Sequence, residues 1–279
     1  MELFVESGAI PLGGLESDHF KDTFAVFSVA PHTDDKDVLV VEAFQKDVEQ
    51  LKIKAAKPRF FTNLEPRAIL KELAPNLIID CRVSGVGTYH LNQGKAPSRL
   101  IRNMARDYGA AAFVCRGTLY MLPLSSFGVG EPVVRFGHNT QYNDENIDTQ
   151  IHQLNRIDVT KSVTRKLCRN FAAWSPEAGL VSSGEYEDKP TQLLALPITR
   201  NQLSNQAKFV VPVLDVVAIG QLKLKPFDTV KVEVVKFNAN AEVDHSVPSL
   251  LGIQTITHFC EGTKYNNRIV LGVTHRDSN

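Results

Sequence analysis

Residues with chemistry to offer are few and scattered. The stretch GTYHLNQGKAPSRLIRNMARDYGAAAFVCRGTLYMLPL, residues 87 to 124, carries a Cys-Arg pair at Cys115 and Arg116 and an isolated His90. A cation beside a thiol lowers its pKa and turns it toward nucleophilic attack. Neighbours along a strand point to opposite faces, however, which places Arg116 in solvent and Cys115 inside. His90 lies in the alternating TYHL with no carboxylate at a useful spacing, and reads as a surface or strand-edge residue rather than a general base. The acidic run GEYEDKP offers Glu185, Glu187 and Asp188 as paired carboxylates or cation ligands. It lacks the alternating ligand pattern of a calcium loop and reads as a solvated loop. Arg99, Arg102 and Arg106 recur every three or four residues, a spacing that suits phosphate contact but equally the outer face of an amphipathic helix.

The wider search returns no catalytic constellation. The eight histidines include no HxxH or HExxH pattern. Gly85 and Gly87 in VSGVGTYH flank one residue, as a dinucleotide fingerprint begins, but no third glycine opens a following helix, so they read as turn glycines. SSFGVG after MLPL is a loop rather than a strand-to-helix nucleophile elbow. The expectation is no catalytic residue, no metal ligand and no cofactor.

Composition sets further bounds. Lys plus Arg and Asp plus Glu are 31 each among 279 residues, so no net field recruits nucleic acid or an anionic membrane. Cys81, Cys115, Cys168 and Cys260 are widely spaced without a CxxC pair, which argues against a zinc ribbon, a redox dithiol or a secreted disulfide scaffold. They read as small buried apolar residues. The start MELFVESGAIPLGG has no basic region ahead of an apolar core, so no signal peptide is expected. The run FVVPVLDVVAIG is broken by Pro212 and Asp215 and is shorter than the ~20 residues of a membrane helix. These features point to a chain made in a reducing cytoplasm.

The elements that must position any site follow from periodicity. TFAVFSVAP and KDVLVVEAF are β-rich and parted by HTDDKD, a hairpin with a loop longer than two residues. NLEPRAILKELAP predicts a helix with Asn63 as N-cap, Pro66 in the first turn and Ile69, Leu70 and Leu73 on one face, stopped at Pro75 and followed by the strand NLIIDCRV. APSRLIRNMARDYGA repeats the grammar with Leu100, Ile101, Met104 and Ala105 on one face and Gly109 where a left-handed C-cap is wanted. AAFVCRG and TLYMLPL follow as strands, so two helix-strand units are expected on one small sheet. From 125 to 189 the sequence loosens: GHNTQYNDENIDTQ is turn-rich, IDVTKSVTRKLCRNF has strand character, and SPEAGLVSSGEYEDKP is loop-like. Order returns in TQLLALPI, AKFVVPVLDVVAIG, DTVKVEVVKF, LLGIQTITHF and NNRIVLGV, a β-barrel or sandwich. Its closing hairpin is expected to bury Ile253, Thr255 and Thr257, or else their neighbours, together with Ile269, Leu271 and Val273. His258 in this hairpin has no partner that spacing reveals.

Three stretches together resemble the baseplate hub, or tail-hub, proteins of contractile-tailed bacteriophages, which are similar to the base of type VI secretion spikes. VLVVEAFQKDVEQLKIKAAKPRFFTNLEPRAILKELA resembles the first barrel strand followed by an N-x-x-x-x-x-I-L helix start. YHLNQGKAPSRLIRNMARDYGAAAFVCRGTLYMLP resembles the segment where a strand leads to a helix ending in an alanine-rich turn, then a strand and Gly-x-Leu before a Pro. LLGIQTITHFCEGTKYNNRIVLGV resembles the closing hairpin, with a His just before the turn. The match runs over about residues 20 to 124 and 190 to 274 and is carried by order and spacing.

The resemblance implies a mainly β fold with an α/β insert (α+β): two β-barrel-like hub domains at 1–62 and 190–279, small helix-strand units at 63–124 and a connecting region at 125–189. It implies a homotrimeric ring joining tail tube to central spike among other baseplate proteins, in the virion tail baseplate and assembled in the host cytoplasm. Such a ring needs interfaces of ~2,000 Å² or more rather than catalytic groups. A chain that is 43% hydrophobic can supply them by exposing strand edges for its neighbours to complete. Two rivals stand beside it. One is a baseplate cell-wall hydrolase drawing on Glu185, Glu187 and Asp188. The other is a secretin-like ring module, which requires an export signal.

Overall fold

Fifty-two per cent of the residues in the computed structural model are strand and 16% helix, so the fold is mainly β with a few short helices. It describes residues 2–8, 19–33, 38–140, 146–158, 169–175, 178–183, 189–194, 199–236, 242–261 and 264–274. The chain divides into two units, residues 1–105 with 111–122, and residues 106–110 with 123–279.

The first unit begins with three antiparallel strands, β1 (Glu2–Gly8), β2 (His19–Pro31) and β3 (Leu39–Gln45), in the order β1-β2-β3. Strand β2 is the long central member. Its first part pairs with β1 up to Ala25, and its last part, from Phe24 to Pro31, pairs with β3 alone beyond that point. The polar HTDDKD lies in the connection, as expected, and residues 34–37 of it fall outside the described residues. A short helix α1 (Lys46–Lys52) follows directly, and β4 (Arg59–Leu64) pairs antiparallel with β6 (Gly87–Leu91).

Helix α2 (Pro66–Leu73) forms with Pro66 at its first turn and buries Ile69, Leu70 and Leu73. Its cap corrects the sequence reading. Glu65, not Asn63, is the N-cap, and no side chain bonds the end. Asn63 lies instead in β4, at φ +53° inside an irregularity of the β4–β6 ladder, where its N–H donates to Thr88 Oγ1 at 3.1 Å. Asn tolerates the left-handed region better than most residues, and the bulge uses that tolerance before the helix can.

Strand β5 (Ile78–Cys81), helix α3 (Pro97–Asp107), and strands β7 (Ala110–Cys115) and β8 (Thr118–Pro123) complete the helix-strand pattern. The three strands form one sheet in the order β5-β8-β7, with β5 parallel to β8. Both helix-strand units thus share a small sheet, as the repeat suggested. Helix α3 buries Leu100, Ile101, Met104 and Ala105, and Gly109 follows at φ +59°. A Cβ on Gly109 would come within 2.7 Å of Asn205 Oδ1. The same Asn205 donates to the Asp107 carbonyl at 2.8 Å, so glycine serves both the cap and the close approach.

A closed six-stranded barrel dominates the second unit, in the order β10-β14-β17-β16-β15-β9. Its strands are β9 (Val134–His138), β10 (Thr149–Arg156), β14 (Val210–Ile219), β15 (Thr229–Val234), β16 (Leu250–Glu261) and β17 (Lys264–Thr274). Closure leaves no free strand edge. Alternate residues fill the interior: Val134 and Phe136 from β9, Leu214, Val216 and Ala218 from β14, Val230 and Val232 from β15, Ile269 and Leu271 from β17. Pro212 is tolerated in β14 because the ladder with β17 slips beside it, between Pro212 and Leu214. Beside the barrel, β11 (Asn170–Ser175), β12 (Gly179–Ser182) and β13 (Thr191–Leu194) form a second sheet in the order β12-β11-β13. Helix α4 (Arg200–Asn205) opens with a reciprocal capping box between Thr199 and Gln202.

The closing hairpin corrects a second expectation. Ile253 is buried, but Thr255 and Thr257 are exposed, because a bulge between Ile253 and Thr255 inserts Gln254 and reverses the alternation. Ile256, not Thr255, then returns to the interior and packs on the core. On β17 the expected set holds: Ile269 and Leu271 are fully buried and Val273 packs against them.

Candidate functional site

Most residues singled out for chemistry are placed apart from one another. Arg116 is not in a strand: at φ +50° beside Gly117 at φ +71° it makes the two-residue turn between β7 and β8, and is exposed, while Cys115 ends β7 half-buried. His90 is exposed on β6 beside Phe60, across the ladder from it. Arg99, Arg102 and Arg106 lie exposed along α3, opposite its buried face. Gly85 is a left-handed turn residue at φ +102° and Gly87 opens β6. Burial pushes the Cys81 thiol up, opposite to the shift an activated nucleophile needs. Cys260 is exposed, against the expectation of a buried thiol, because it sits in β16 past the bulge. Cys168, Glu185, Glu187 and Asp188 lie outside the described residues. Among the described residues no three His, Cys, Asp or Glu side chains gather as metal ligands do.

The chemistry the sequence did not reveal is a polar knot in the closing hairpin. His258 on β16 stands directly opposite Asn267 on β17, and Tyr265 is the next residue on the same face. Asn267 is completely buried. Its Oδ1 accepts the backbone N–H of Gln221, just past the end of β14, which fixes the amide so that Nδ2 faces His258 Nδ1 at 2.8 Å. The Tyr265 hydroxyl is 2.6 Å from the same Nδ1, and the two rings lie nearly parallel, 10° apart. With Nδ1 accepting, the ring proton belongs on Nε2. An amide and a phenol carry no negative charge with which to stabilise an imidazolium, as the carboxylate of a catalytic His pair does. This arrangement locks strands: it joins β16, β17 and the end of β14 through one buried amide. Gly220 makes room for it, since a Cβ there would fall 2.1 Å from the Tyr265 ring.

Two surface ion pairs brace the same barrel. Arg268 holds Asp215 with two hydrogen bonds, at 3.1 and 2.6 Å, and that contact lowers the Asp215 pKa below the usual carboxylate value. Asp244 is held at about 2, first by the Ser246 hydroxyl and backbone N–H and then by Arg156.

Exposed apolar side chains form two faces of different shape. Where β2 and β3 pair alone, Val29 lies opposite Val41 and Pro31 opposite Leu39 on one side of the ribbon, with Val26 and Ala43 continuing the strip. Val29, Leu39 and Val41 are all exposed. In the β12-β11-β13 sheet, Phe171 and Ala173 face α4 and pack on Leu203 and Ala207. The opposite face carries Trp174 beside Leu180, with Leu193 beside Ala172, and these three are 61%, 65% and 68% exposed. Among the described residues no helix is long and apolar enough to cross a membrane, so a bilayer-spanning helix is not what these faces serve.

No family model and no curated protein matches the chain. Solved structures do. The tail protein from Neisseria meningitidis MC58 shares 12% identity over 97% of this chain and 87% of its own, with a TM-score of 0.61. The 43 kDa tail protein of prophage MuSo2 from Shewanella oneidensis shares 10% identity over 97% of this chain and 88% of its own, with a TM-score of 0.58. At such identities the likeness is one of fold.

Proposed function

We propose that this chain is a structural protein of a bacteriophage tail, acting as a baseplate hub in which three copies form a ring between the tail tube and the central spike. The observation that carries the reading is the shared fold over 97% of the chain with two solved tail proteins. The order of the hub-like stretches in the sequence supports it independently. Within the reading, residues 1–62 begin the first barrel-like module with the open β1-β2-β3 sheet. Residues 63–124 are the helix-strand insert, and the region 125–189 lends β9 and β10 to the second module, completed by 190–279.

Three copies with two such modules each would present six to the tube. The partners are further copies of the chain, the tube protein, the spike and other baseplate proteins. The location is the virion tail, reached from the host cytoplasm. The role asks for interfaces, and the exposed apolar faces are the kind of surface that marks them. No catalytic residue or cofactor enters it.

Sedimentation of the purified protein at micromolar concentration, with immunogold labelling of intact particles, tests the reading. Trimers and label at the tail tip are expected. A stable monomer absent from tails would overturn it.

A further inference from the structure

We infer that the β2–β3 ribbon of one copy docks on the Trp174 face of the next, an inference that rests on the ring reading above. The two patches are unlike. One is a strip on a two-stranded ribbon, lined by Val29, Leu39 and Val41 with no charged residue among its paired neighbours. The other is the flat outer face of a sheet whose inner face is already covered, and it holds the chain's one Trp, 61% exposed, with Leu180 and Leu193.

Each patch amounts to on the order of 300 Å², given that a whole aromatic side chain buries 150–250 Å². That is the scale of a functional patch but well short of the ~800 Å² per partner of a standard interface. Either patch paired with itself about a two-fold axis therefore falls short. Paired with each other, they let every copy bury both at once, one against each neighbour. Contacts between unlike patches are head-to-tail, the kind that generates a ring when the rotation closes. The occupant of each patch is thus the other patch on a second copy of this chain. Two sheet faces of this kind pack about 10 Å apart with aliphatic side chains interleaved, and a Trp at the centre is the side chain most often found carrying such contacts.

The test uses two full-length variants at the most exposed leucines, L39E (63% exposed) and L193E (68% exposed), where a charge meets solvent in the single copy and spares the fold. Circular dichroism and thermal midpoint should match the unmodified protein. Sedimentation velocity should show the unmodified protein as a closed ring and each variant alone as a monomer. An equimolar mixture should then form a heterodimer and nothing larger. The L193E copy still has an intact ribbon, the L39E copy still has an intact Trp174 face, and together they make one good junction. If the unmodified protein forms a ring and the variants form it equally well, or if the variants are monomeric and their mixture stays monomeric, the pairing is wrong while the ring stands. If the unmodified protein is itself a monomer, both readings fall.

Discussion

Asn267 shows how much one buried amide can hold. Its carbonyl oxygen takes up the Gln221 N–H and its amino group meets His258, all inside the barrel wall. Removing one partner of a buried hydrogen bond leaves the other unsatisfied, at a cost of about 1–3 kcal/mol. Asn267→Ala should therefore lower the urea midpoint by an amount of that order with the slope unchanged, because the surface exposed on unfolding hardly differs. An unaltered midpoint would mean that the amide is not what closes the strands. The sequence did not disclose this knot, since its members stand seven and nine residues from one another along the chain and meet only through hairpin register. The signal was present in EGTK: Glu261 opposite Lys264 sets His258 against Asn267, and a glycine right after Glu261 is a tight-turn residue. Reading the turn length before seeking partners would have found it. The chemistry of Cys115 and Arg116 was misplaced by the same step, because Arg116 belongs to a turn and not to the strand that ends at Cys115.

At the scale of elements, what was legible had strong periodicity. Helices α2 and α3 and the strands β14 to β17 each bury the residues their spacing selects. What was not legible had weak or interrupted patterns. Strand β9 is only five residues long, and β10 buries just Thr149 and Ile151 before a register slip between Ile151 and Gln153 breaks its alternation, so both passed for loop. Helix α4 lies under a T-x-x-Q capping box that was there to be read, but with six residues it carries little periodicity. The bulge at Gln254 defeats a strict two-residue period in β16, whereas β17 keeps it. That difference makes β17 the better place to test the barrel. Leu271 is fully buried opposite Ile253 and Leu214, so Leu271→Asp places an unpaired charge in the core at a cost of several kcal/mol. The expected outcome is insoluble or unfolded protein by soluble yield and circular dichroism. A soluble Leu271→Asp protein with native spectra would show that this face of β17 does not look inward.

For the molecule as a whole, the absence of a family motif and the presence of a full-length fold match have one cause. At 10–12% identity to the two solved tail proteins, shared structure is carried by which positions are buried and in what order elements follow. Those are the features from which the hub resemblance was drawn. Net charge points the same way: with 31 basic and 31 acidic residues the molecule has no overall field to steer a partner, so association must come from local surfaces. If those surfaces are the apolar faces of the ribbon and of the Trp174 sheet, assembly should not depend on salt in the manner of ion pairs. Charges on exposed groups are screened beyond ~10 Å at about 0.1 M salt, whereas burial of apolar surface is undiminished by sodium chloride and strengthened by sulfate. Sedimentation profiles should therefore keep the same oligomer from about 50 mM to about 500 mM sodium chloride, and shift toward it in sulfate. An oligomer that falls apart as chloride rises would move the interface to charged surfaces, with the exposed Arg99, Arg102 and Arg106 of α3 the first place to look.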